Sequence, residues 1–273
     1  MRPIRRKMTA RTIAPALFAA LFLGSSGLGP DRARADSTAP APGTFEQSKQ
    51  YAACMLLARD HPQDAYDSAG TWLTQNGGAP AQHCRAVALI GLDRYAEAAD
   101  LLIQTANELA KTDAREAILA DLYGQAAQAW LMAGDGEQAL VADNAALELE
   151  PDDVELRIDR AVVNVGVGKY WEAIDDLNRA NELAPDRADI LVLRASAYRY
   201  VESPELALED VGHALAIDAK NAEAYLERGI LESQATDVTS ARADFLKAVE
   251  LAPDSPTAEA AQARLQQLDL PTQ

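Results

Sequence analysis

The chain repeats itself at a step of 34 residues, and that period restricts its fold more than any other feature. Pro151, Pro185 and Pro253 stand on one column, with Ala219 in the vacant slot. Small residues fill three more: Ala127, Ala161, Ala195 and Gly229; Ala139, Ala173, Ala207 and Ala241; Ala146, Ala180, Ala214 and Ala248. A period of this length means stacked copies of one supersecondary unit, none able to bury its apolar face alone.

Each unit reads as two helices. In the last, "AEAYLERGILESQA" precedes "TSARADFLKAVELAPD", and both place apolar residues at three- and four-residue steps. Neither alternates with the period of two that a strand requires. Small columns are what closely approaching helices need, because a large side chain there would hold the backbones apart. The expectation is an all-α solenoid over residues 45–270, with six helix–turn–helix units at about 46–78, 79–111, 120–153, 154–187, 188–221 and 222–255. A helix over 256–268 caps the last apolar face. Between the second and third units the register slips by seven residues, and the Asp113…Glu116 pattern reads as the capping box of a lengthened first helix.

The columns resemble the tetratricopeptide repeat (TPR) family over residues 120–255. The likeness rests on Tyr225-x-x-Arg228-Gly229, Ala241-x-x-x-Phe245 and Pro253. The glycine that the family places between its two helices is present as Gly134 and Gly168, but the later units have Glu202 and Thr236. Ser203 is expected to cap the helix after Glu202, with Pro204 in its first turn.

The amino terminus reads as an export signal. Arg2, Arg5, Arg6, Lys7 and Arg11 precede the apolar run Ile13–Gly24, and Ala33-Arg34-Ala35 supplies small residues for cleavage. An uncut membrane anchor is the alternative, disfavoured by the shortness of the run. Residues 36–44, small and Pro-rich, read as a disordered leader. The whole chain has 25 basic and 42 acidic residues; losing 1–35 removes seven bases and one acid and leaves a net charge of −23. Such a field repels nucleic acid and anionic membranes, and favours basic partners. The expected setting is the periplasm, with secretion or retention by the uncut signal as alternatives.

Cys54 and Cys84 are the only cysteines, and in an exported chain an even pair reads as a disulfide between the first helices of units one and two. Two buried free thiols are the competing reading. No third ligand clusters with them or with His83, so no metal site is expected. His61, His83 and His213 are scattered, and no nucleophile elbow is present. No catalytic residues and no cofactor are therefore assigned, and the protein is expected not to be an enzyme.

Two charged columns remain. Arg160, Arg194 and Arg228 each lie sixteen residues before Asp176, Asp210 and Asp244, which reads as a structural ladder of Arg–Asp pairs between the helices of a unit. An alternative turns the arginines into a groove to meet an acidic ligand. The second column, Asp121, Glu155, Asp189 and Glu223, opens each first helix, where the macrodipole favours acids. What the family resemblance implies is that this face lines a concave peptide groove. Ile158, Val192, Leu226, Val162 and Ile230 would be its apolar floor, with Ser196, Arg199 and Tyr200 further along. The implied partner is another protein or peptide with apolar anchors and basic flanks, held by a scaffold or adaptor. A holdase for exported chains, and an accessory ligand-binding or enzymatic protein on the same frame, are the alternatives.

Overall fold

The structure is a computed structural model and describes residues 45–269. The expected signal at 1–35 and leader at 36–44 lie outside the described residues. Thirteen α-helices make up the described residues, with no strand among them: α1 Phe45–Asp60, α2 Pro62–Thr74, α3 Gly78–Gly91, α4 Tyr95–Leu109, α5 Glu116–Met132, α6 Gly136–Leu149, α7 Val154–Gly166, α8 Tyr170–Leu183, α9 Ala188–Tyr200, α10 Pro204–Ile217, α11 Ala222–Gln234, α12 Val238–Leu251 and α13 Pro256–Leu268. None is long and apolar enough to cross a membrane.

Local chemistry sets the helix ends. Asp153 accepts the backbone N–H groups of Glu155 and Leu156, and Asn221 that of Ala224. Asp135, Asp237 and Ser255 do the same for α6, α12 and α13. Pro62, Pro204 and Pro256 sit in the first turns of α2, α10 and α13, where a missing N–H costs nothing. Two expected caps do not form. Arg115, in extended conformation, precedes α5 in place of Asp113, so Glu116 opens that seventeen-residue helix and cannot close a capping box. Ser203 makes no side-chain cap either. Its backbone N–H instead bonds Tyr198 O at 2.9 Å, closing a turn in which Glu202 takes φ +57°.

Between the helices of a pair, that left-handed position recurs as Asp93, Gly134, Gly168, Glu202 and Thr236, with φ from +57° to +82°. Only two of the five are glycine, so the turn geometry is imposed by the helices it joins.

The small columns lie in the core. Ala139, Ala173, Ala207 and Ala241 are fully buried, as are Ala146, Ala180, Ala214 and Ala248. A Cβ added at Gly229 would stand 2.7 Å from the Phe245 ring, so the absent side chain is what admits the phenyl group. Full burial of Phe245 contributes about 1.5–3 kcal/mol.

Each helix packs on its predecessor, and there is a second set of contacts. First helices of neighbouring pairs touch: α1 on α3, α5 on α7, α7 on α9, α9 on α11 and α11 on the lone α13. Second helices do not pack on one another in this way. The first helices therefore crowd the inner side of the solenoid, and the second helices spread over the outer side. At the amino-terminal end a disulfide joins Cys54 of α1 to Cys84 of α3.

Candidate peptide-binding face

The expected apolar floor is not open. Ile158, Val192, Leu226 and Ile230 are at most 9% exposed, and only Val162 is half-buried. Contact between first helices explains this correction. Ile158 shares a core with Ile190 and Leu193 of α9, Val192 with Ala224 and Leu231 of α11, and Leu226 and Ile230 with Leu265 of α13. Each aliphatic lies between two first helices and so offers a ligand little surface.

What the inner face presents is polar. Asp121, Glu155, Asp189 and Glu223 are half-buried. Arg187, at the N-cap of α9, joins two of them: it donates to both oxygens of Asp189 and across to Glu155 of α7. Burial would raise the Asp189 carboxyl, but the hydrogen bonds and charge of Arg187, with backbone N–H groups, together hold it below the usual range. Gln128 of α5 donates to Asp159 of α7 at 2.8 Å. Further along, Arg199 donates to Glu227 of α11 at 2.5 Å and to Ser196 at 3.0 Å. Tyr200, 37% exposed, stacks on Tyr170 with ring centroids 4.7 Å apart.

Nearer the amino terminus the same face carries a hydrogen-bonded chain. Tyr51 Oη donates to His83 Nδ1 at 2.7 Å, and His83 Nε2 donates to Gln125 Oε1 at 2.8 Å. That assignment needs a neutral imidazole, and burial pushes the His83 pKa down accordingly. Nothing in the repeat columns pointed to this chain, because its members come from three units at unlike positions. Arg187 was also missed; only its place in the joint before α9 hinted at it.

The arginine column lies elsewhere. Arg160, Arg194 and Arg228 each fork onto both oxygens of Asp176, Asp210 and Asp244, at 2.5–2.8 Å. Arg160 and Arg194 also donate to Asn144 and Asn178 of the preceding second helix, at 2.8 and 2.9 Å. The first two forks therefore tie a first helix to the second helices on both sides, the third ties α11 to α12 alone, and the aspartates are at most 9% exposed. At the third rung Gly212 occupies the asparagine's place in the repeat, and Arg228 has Glu232 3.9 Å away instead. With their forks occupied, these arginines hold the frame together.

Large exposed apolar side chains cluster on the second helices. They include Trp171 on α8, Leu206 and Leu208 on α10, and Leu246 on α12. Among the described residues no group of His, Cys, Asp and Glu is placed to hold a metal ion.

Comparison with known proteins agrees with this architecture. The tetratricopeptide repeat family model matches residues 128–198. The TPR repeat-containing thioredoxin TDX of Arabidopsis thaliana is 30% identical over 100 residues, which are 37% of this chain and 26% of that protein. The mitochondrial import receptor subunit TOM70 of Homo sapiens is 38% identical over 105 residues, 37% of this chain and 17% of the receptor subunit. The chain thus spans about a quarter or less of the length of these two relatives. A solved tetratricopeptide repeat protein from Parabacteroides merdae shares the fold with a TM-score of 0.58, at 17% identity over 83% of this chain and 85% of that one. The 34-residue period and the paired helices with their small columns have the form of the stretch that the family model matches, so residues 128–198 are tetratricopeptide repeats and the solenoid around them is built in the same way.

Proposed function

We propose that this protein is a non-enzymatic interaction module, exported to the periplasm, that holds a segment of a partner protein along the inner face of its first helices. The observation that carries the reading is the row of half-buried charges on that face, recurring from α5 to α11 around Glu155, Arg187 and Asp189. A row of charges at repeat spacing suits an extended chain better than a compact substrate. TOM70, which shares part of the segment, is named as an import receptor subunit, which supports a role in protein binding. The buried aliphatics shift the source of selectivity to charge, so the partner carries basic residues opposite Glu155 and Asp189 and inserts few apolar side chains. The Cys54–Cys84 bridge and the basic, apolar amino terminus both favour an oxidising, exported setting.

The test is site-specific photo-crosslinking in intact cells. Probes at Val162 and Tyr200 on the inner face should yield discrete adducts, whereas probes at Trp171 and Leu246 on the outer face should not. Glu155→Lys combined with Asp189→Lys should remove the inner adducts while helical circular dichroism is unchanged. Adducts from the outer positions alone would overturn the reading. They would favour a holdase that uses the exposed apolar side chains of the second helices, a second reading motivated by Leu206, Leu208 and Leu246.

A further inference from the structure

The arginine column has a fourth member that the ladder leaves out. Arg85 of α3 precedes Ala86 as Arg160 precedes Ala161, and Ala98 follows twelve residues after Ala86 as Ala173 follows Ala161. Sixteen residues after Arg85, where the other rungs have Asp176, Asp210 and Asp244, stands Leu101. The second unit thus has the arginine without its carboxylate. Arg85 is half-buried and makes no ion pair among the described residues.

Instead it turns back to the preceding second helix. Arg85 Nη2 donates to Tyr66 Oη of α2 at 2.6 Å, and its Cζ lies 4.2 Å from the centre of the Tyr66 ring. Tyr66 is held in place, since its ring packs against two separate core clusters. A second guanidinium reaches the same ring: Arg94, at the N-cap of α4, has its Cζ 5.1 Å from the ring centre. Arg94 forks onto Glu97, at 2.6 and 2.7 Å. Two guanidiniums and one carboxylate therefore meet at a single phenol, with one positive charge in excess on a chain whose charge beyond residue 35 is −23. The phenol registers this. The hydrogen bond from Arg85 pulls the Tyr66 pKa down against burial, and the charges of both arginines add to it.

A shared aromatic face satisfies two cations only in part. In the three complete rungs the arginine's remaining donors close on the two oxygens of a carboxylate, which match its planar fork. Arg85 Nε and Nη1 have no such acceptor among the described residues. The surroundings are open, with Arg94 39% and Glu97 60% exposed. That suits a side chain carried on a larger surface, whose other contacts supply the affinity that one exposed ion pair lacks.

We propose that Arg85 and Arg94, gathered on the Tyr66 ring, form a docking site for an acidic side chain of a partner protein, which brings from outside the carboxylate that Leu101 denies to this rung. The site stands apart from the inner face, because the arginine column lies elsewhere, and either reading can fail without the other.

The first test follows the Nε–H NMR signal of Arg85 in the chain without residues 1–35. Sodium acetate, whose headgroup is that of an aspartate side chain, replaces sodium chloride at constant ionic strength. The signal should shift saturably with its half-point at roughly 10–100 mM, the range of one charge-assisted pair, while those of Arg160 and Arg194 stay in place. Arg94→Gln should weaken acetate about two- to fivefold. Leu101→Asp, in a variant whose circular dichroism matches the wild type, should abolish the response by filling the fork from within. The second test puts a photo-crosslinking probe at Gln63, exposed on α2 three residues before Tyr66, in intact cells. It should yield an adduct that Arg85→Gln removes and whose attached peptide contains Asp or Glu. No shift at Arg85, an equal shift at Arg160, or inorganic phosphate binding more than about tenfold tighter than acetate overturns the carboxylate site. Acetate binding with no adduct at Gln63, or with one that survives Arg85→Gln, overturns its role in docking.

Discussion

Asp143 of α6 is fully buried, and neither of its carboxyl oxygens has a hydrogen-bond partner. It stands on a column at the 34-residue step whose other members are Leu177, Val211 and Phe245, all at most 1% exposed. Three repeats fill that core position with an apolar side chain, and one fills it with an acid. The cation whose charge acts on it cannot help, because Arg160 is forked onto Asp176 and also donates to Asn144. Burial, then the charge of Asp159, push the Asp143 pKa well above the usual carboxylate value; Arg160 opposes them and Asp176 adds to them.

Asp143→Leu should therefore stabilise the protein. Removing an unsatisfied buried carboxyl recovers ~1–3 kcal/mol. Filling the site with an apolar side chain adds ~1.5–3 kcal/mol, and tight packing takes back ~1–3 kcal/mol. The net is about 2 kcal/mol, or about 4–8 °C in Tm for a chain of this size. The sign with pH follows from the raised pKa: the folded state holds the proton more tightly than the unfolded one. The wild type thus loses stability as pH rises above the ordinary aspartate range, and the loss ends only past the folded pKa. The Leu variant lacks that term, so its advantage in Tm should grow between pH 4.5 and pH 7.5. Circular-dichroism melts at several pH values measure it. A variant that melts at or below the wild type, or an advantage that ignores pH, refutes the reasoning.

Two further substitutions test the frame. Thr236 is exposed and holds φ +66°, a conformation that costs a branched residue about 1–2 kcal/mol. Thr236→Gly should therefore gain about 0.5–1 kcal/mol after the added backbone entropy of glycine is subtracted, and an unchanged melting temperature would count against the strain. Ala241→Leu places a large side chain on a fully buried column beside Gly229 and Phe245, and should cost about 1–3 kcal/mol in the same melts. A variant as stable as the wild type would mean that the helices do not need a small residue there.

The frame was legible because close approach of backbones excludes large side chains at fixed places, and the exclusion recurs with the period. Ala173 and Ala207 could be placed in the core from sequence alone for that reason. The Arg–Asp columns were legible on similar grounds, since Arg194 and Asp210 keep a constant spacing and chemistry from repeat to repeat. Turns were less so. The Ser203 and Asp113 signatures are local, and in both places the backbone was decided by how the flanking helices dock. The inner face was least legible. Periodicity assigns Ile158 and Val192 to the inner side of their helices, but whether that side is open depends on how tightly successive first helices are drawn together. That is a property of curvature, summed over many contacts, and no single column records it.

Curvature also decides what kind of binding the inner face can support. With its aliphatics between helices, the face offers ion pairs that a partner must complete or displace, and each such exchange returns little net free energy while rejecting mismatched charges strongly. Affinity assembled in this way is selective before it is tight. The long-range field reinforces the selection, since a strongly acidic chain draws basic segments from a distance and loses that pull as salt shortens the screening length.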